Sequence, residues 1–124
     1  MSLVFEVFEA EESARFVCTL AIGLLTSVRN GAMSLGEAER LLFSPRASKA
    51  LREKGISLEL SELIMDCCEL EDVLNLVPSK FNSSLQNMSD KFMVFLENST
   101  ARVTDMEFFG DKIVAKKEDG EGAD

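Results

Sequence analysis

A chain of 124 residues fits one domain of ordinary size, long enough to build a core that needs neither metal nor disulfide. Its 22 Asp and Glu outnumber 13 Lys and Arg, and it contains no His, Tyr or Trp. That balance disfavours nucleic-acid binding, which Lys and Arg carry, and removes the imidazole that most acid–base catalysis near neutral pH uses.

The early residues Glu6, Glu9, Glu11 and Glu12 put negative charge where a secretory signal needs positive charge. The most apolar run, Phe16 to Val28, falls well short of the roughly 20 residues that span a bilayer. It reads as part of a core helix from Glu9 to Arg29. Phe16, Val17, Leu20, Ala21, Leu24, Leu25 and Val28 recur there at three- and four-residue spacing. Asn30-Gly31 stops that helix, because glycine reaches the left-handed cap conformation at little cost.

Ser34-Leu35-Gly36-Glu37 has capping-box chemistry and opens a short second helix. Ser44 caps a third, Pro45 to Lys54, since proline suits the first helical position and Gly55 closes the run. Ser57 caps a fourth, predicted from Leu58 to Leu76 and stopped by Pro78. On that helix Leu60, Leu63, Ile64, Cys67, Leu70 and Leu74 share one side. Glu59, Glu62, Asp66 and Glu69 lie beside them within about 80° of arc, flanked by Glu71 and Asp72. A fifth helix runs from Ser79 to Asn98. Its seam of Phe81, Leu85, Met88, Phe92 and Phe95 is too short for a free coiled coil and long enough for packing in a bundle.

Beyond Asn98 the pattern is ambiguous. Val103 to Phe109 and Lys112 to Lys117 flank Gly110-Asp111, which is hairpin chemistry, but Thr104-Asp105-Met106-Glu107 is also a helix start. A short helix or an irregular packed segment is the expectation. Glu118 to Asp124 has no bulky residue and reads as a disordered acidic tail. The predicted fold is an all-α, single-domain bundle of five or six helices over residues 1–117, followed by the tail 118–124.

The chemistry-bearing residues point away from catalysis. There is no GxxxxGK[ST] and no GxGxxG, so no nucleotide cradle is expected. Glu62, Asp66 and Glu69 present oxygens on one helical face, but one helix converges poorly on a cation, and neither a metal nor a cofactor is assigned. Cys67 and Cys68 are adjacent and project about 100° apart, which rules out a relaxed disulfide between them. Their acidic neighbours disfavour a thiolate, and reduced thiols in a cytoplasmic protein are expected, with Cys67 in the core and Cys68 at its border.

The four-acid stripe admits two readings. One is solubility, since a net charge of −9 keeps a small domain dispersed. The other is a docking face for a basic protein, where carboxylates steer a cationic partner and rim the apolar anchors. In the second reading Glu59, Glu62, Asp66 and Glu69 supply the charges, with anchors from the helix border or from Met93 and Phe95.

The run Ser34-Leu35-Gly36-Glu37-Ala38-Glu39-Arg40-Leu41-Leu42-Phe43-Ser44-Pro45, with Glu69-Leu70-Glu71-Asp72-Val73 and Leu76-Val77-Pro78, resembles a family of small, functionally unassigned bacterial helical proteins. It covers about a third of the chain. Short, acidic, helical proteins without catalytic motifs also resemble the immunity proteins of contact-dependent or secreted toxin systems. That resemblance implies a cytoplasmic, non-enzymatic protein that occludes a cognate basic toxin domain, often a nuclease, and contacts neither nucleic acid nor membrane. The competing expectation is a helical adaptor or homodimer that self-associates through the Phe-rich fifth helix.

Overall fold

The computed structural model describes residues 2–5, 9–99 and 113–116. Helix α1 spans Ala10–Arg29, α2 Leu35–Leu41, α3 Pro45–Glu53, α4 Leu58–Cys67, α5 Leu70–Leu76 and α6 Phe81–Asn98, with a 3₁₀ turn at Pro78–Lys80. Among the described residues the protein is thus mostly helical. Four of its helices have nine residues or more and two have seven. The acidic tail 118–124 and the segment Val103 to Phe109 lie outside the described residues.

The helix ends follow the residues that encode them. Ser34 Oγ accepts from the Glu37 amide at 3.1 Å, Ser44 Oγ from Ala47 at 3.2 Å and Ser57 Oγ from Leu60 at 3.1 Å. Each bond satisfies one orphan donor of a first turn. Gly31 and Gly55 hold φ of 76° and 66°, which a side chain would strain. Replacing Ser57 by Ala is expected to lower folding stability by about 1 kcal/mol, while Asp at this position retains most of it. Urea unfolding of the two variants checks this.

Helices α1 and α6 form the centre of the fold and run antiparallel. Arg15 Nη1, near the start of α1, donates to the Leu96 carbonyl at 2.8 Å and to Ser99 Oγ at 2.7 Å at the end of α6. It thereby ties α1 to the C-terminal end of α6, sharing the Leu96 carbonyl with the Ser99 amide and hydroxyl. Cys18 Sγ donates to the Phe92 carbonyl at 3.0 Å, and Arg29 donates to Gln86 Oε1. Helices α3 and α4 pack closely through small polar residues: Ser48 Oγ, itself buried, donates to the carbonyl of buried Ser61 at 2.7 Å.

Three expectations are corrected. The face of α1 that enters the core is Ala14, Cys18, Ala21, Leu24, Leu25 and Val28, whereas Phe16 and Leu20 are exposed. The single helix predicted over 58–76 is two. The Cys68 and Glu69 amides bond back three residues, to Met65 and Asp66 at 3.0 and 3.1 Å, tightening the helix into a turn before α5 starts. This turn buries Leu70 and leaves Leu74 exposed. Finally, part of the segment after Asn98, expected as a short helix or an irregular stretch, is a strand that joins the mostly helical fold. Ile113–Lys116 forms strand β2 and pairs antiparallel with β1, Ser2–Phe5, with Ser2 opposite Lys116 and Phe5 opposite Ile113. The partner of this strand lies at the other end of the chain, which no local pattern encodes.

Candidate functional site

Three of the four acids of the stripe border a groove. Glu59, Glu62 and Asp66 project from α4, and Glu69 stands at the turn before α5; all four are exposed. Two depressions separate α4–α5 from α6. One, of about 150 Å³, is lined by Asp66 and Glu69 with Leu70, Val73, Ser84, Asn87 and Met88. The other, of about 300 Å³, is lined by Glu59 with Leu63, Asn87, Asp90, Lys91 and Val94. Asn87 lines both, so the two depressions adjoin along the groove, and each has apolar as well as polar lining residues. Glu62 lines neither depression and sits on the outer side of α4, between exposed Leu58 and Met65.

The two predicted apolar anchors take different positions. Phe95 packs against the core with Phe81, flanking the buried Leu85, Met88 and Phe92. Met93 is exposed, but seven residues after Gln86 it repeats the direction of that side chain, which meets Arg29 of α1. It therefore stands away from the acids. The exposed apolar residue of α6 that does line the groove is Val94. Sequence reasoning also missed Asp90. Its signal was available in the spacing of Asn87, Lys91 and Val94, which defines a second face on α6 beside the Phe seam.

A second concavity, of about 640 Å³, opens between α2, the start of α3 and the α4–α5 turn. Gly36, Glu39 and Arg40 come from α2, Phe43 and Ser44 from the following turn, Pro45 and Arg46 from α3, and Cys68 and Glu71 from beyond α4. The segments that carry the sequence resemblance, Ser34 to Pro45 and Glu69 to Val73, converge here. The carboxyl of Glu39 meets that of Glu71. Burial and then this like-charged neighbour raise the Glu39 pKa above the usual carboxylate range, against the opposing pull of Arg40.

The three thiols are reduced and unpaired with one another. Cys18 and Cys67 are buried, and Cys68 is half-buried. Desolvation pushes the Cys18 pKa to about 11 and that of Cys67 higher still, and burial with Glu39 and Glu69 also raises Cys68. Thiolate chemistry is disfavoured at all three. Labelling the native protein with iodoacetamide at pH 8 is expected to modify Cys68 alone, more slowly than free cysteine, and all three only after unfolding; mass mapping of the adducts reads this out. Among the described residues no group of three or more His, Cys, Asp or Glu is placed to hold a metal ion, and no helix is long and apolar enough to cross a membrane.

Comparison with curated proteins and with solved structures found no match. The model of one protein family, described as a protein of unknown function (DUF3969), matches residues 8–110, which takes in every described helix and both concavities. The chain therefore belongs to the DUF3969 family.

Proposed function

We propose that this protein is a toxin-neutralising protein of the immunity type, acting in the bacterial cytoplasm by stoichiometric occlusion of a basic protein domain such as a nuclease. The observation that carries the reading is the groove between α4–α5 and α6. It sets Glu59, Asp66, Glu69 and Asp90 around Leu63, Val73 and Val94. Carboxylates around apolar contacts are the anatomy of a protein interface whose partner is cationic. Lys91 is the one cation lining these depressions.

In this mechanism the groove acids pair with Lys and Arg that would otherwise hold the toxin's anionic substrate. Long-range attraction from a chain of net charge −9 speeds the encounter. Occlusion then needs no catalytic group. The homodimer alternative relied on the seam of α6, and that seam supplies core residues.

The experiment is to clone the genes adjoining that of this protein and coexpress with it any that encodes a basic toxin domain. The expected result is restored growth of the toxin-expressing cells and a stable complex on gel filtration. Unrestored growth with both proteins folded and expressed would overturn the proposal.

A further inference from the structure

The cleft between α2, the start of α3 and the α4–α5 turn carries charges of both signs in an unusual arrangement. Glu39 has the like-charged Glu71 as a neighbour across the cleft, with Arg40 beside it as the opposing charge. Arg40 and Arg46 line the same cleft, and among the described residues neither forms an ion pair or a hydrogen bond. The Arg40 guanidinium folds back over Gly36, its Nη1 lying 3.7 Å from where a Cβ there would stand. The cleft's apolar lining comes from Phe43, which is buried, and Pro45, which is exposed.

A volume of about 640 Å³ matches the concavities that take up small molecules and exceeds what one side chain fills. The charges decide which molecule. A purely cationic group gains from the carboxyls but meets two guanidiniums, and a purely anionic group meets the reverse. A ligand bearing both charges satisfies both pairs at once. It would also relieve the contact between two carboxyls, which is unfavourable while both are ionised.

We infer that this cleft is a binding site for a small zwitterion of the α-amino-acid class, with its ammonium group against Glu39 and Glu71, its carboxylate against Arg40 and Arg46, and an apolar side chain over Phe43 and Pro45. The site is separate from the acidic groove, and its occupancy stands or falls independently of the toxin-binding reading.

The experiment is an NMR titration of the full chain, following backbone amides, with L-leucine as the probe. Isoamylamine and 4-methylvalerate, which lack the carboxylate and the ammonium group respectively, serve as comparisons. The expected result is that leucine shifts the amides of Gly36, Glu39 and Glu71 and binds at least about tenfold more tightly than either comparison compound, a difference of about 1.4 kcal/mol. A folded Glu39→Gln/Glu71→Gln variant and a folded Arg40→Gln/Arg46→Gln variant should each lose about tenfold in leucine affinity. The stripe variant Glu62→Lys/Asp66→Lys should bind leucine as the native chain does. Equal binding of all three compounds, an unchanged response in the cleft variants, or no response to leucine up to about 10 mM would each overturn the inference.

Discussion

Replacing Phe92 by Ala is expected to cost about 3–5 kcal/mol of folding stability. The side chain is fully buried and lies on the α6 face that meets α1, where the Phe92 carbonyl also takes the Cys18 thiol hydrogen bond. Truncation removes the transfer free energy of an aromatic ring and leaves a cavity whose walls belong to two antiparallel helices. Those walls cannot collapse freely, because Arg15 and Arg29 fix the two helices near both ends. A small domain has about 5–15 kcal/mol in total, so the variant should stand near the edge of unfolding. Phe92→Leu, which keeps most of the volume, should cost less than about 1.5 kcal/mol. Urea denaturation at two protein concentrations measures both. A loss below about 1 kcal/mol in Phe92→Ala would remove the ring from the core. A midpoint that moves with protein concentration would instead place it in an interface between copies.

How far the fold can be read from the sequence depends on how local the signal is. The Ser caps, Gly31, Gly55 and Pro45 act within a turn or two, and the start of α2 and both ends of α3 follow from them within a residue. The Phe seam of α6 is equally legible, since each step of three or four keeps one face inward. The turn at Cys68-Glu69 has no such marker. Neither proline nor glycine interrupts the run, and Leu63, Leu70 and Leu74 continue the helical period across it. The pairing of Ser2–Phe5 with Ile113–Lys116 joins segments separated by nearly the whole chain, and nothing near either strand specifies the other. The α1 face was misjudged for another reason. Phe16 and Leu20 are larger than Ala14 and Cys18, but the small residues occupy the core positions and the large ones do not.

The candidate sites divide in the same way. Helical geometry alone placed Glu59, Glu62, Asp66 and Glu69 near one another. It could not say that α6 forms the opposite wall, because that requires knowing which helices touch. The spacing of α6 shows that Asn87, Asp90, Lys91 and Val94 share a side, but not that this side faces α4–α5, and the exposure of Met93 does not say which way it points. The cleft at Glu39 and Glu71 was invisible as a site, since its two carboxyls are far apart in sequence and meet only when α2 packs beside the α4–α5 turn. What the sequence did carry was the pair of motif segments that supply most of its lining.

Reversing the charges of Glu62 and Asp66 to Lys is expected to weaken binding to a basic toxin domain by more than about tenfold, at least about 1.4 kcal/mol, without loss of fold. Both side chains are exposed, so the fold loses no buried contact. Their positions assign them different shares of the effect. Asp66 lines the groove and should act through a faster dissociation, because a lysine there faces the partner's cations at contact distance. Glu62 lies outside the groove and should act through slower association, a steering effect that fades as salt shortens the reach of each charge. The single variants separate these shares when rates are followed by surface plasmon resonance across an ionic-strength series. A control that reverses Glu11 and Glu53, exposed acids on α1 and α3, makes the same change in net charge away from the groove. It should alter affinity by no more than about threefold. An equal loss in this control would reduce the interaction to net charge alone. Unchanged affinity in Glu62→Lys/Asp66→Lys would take the groove out of the interface, whatever else the protein binds.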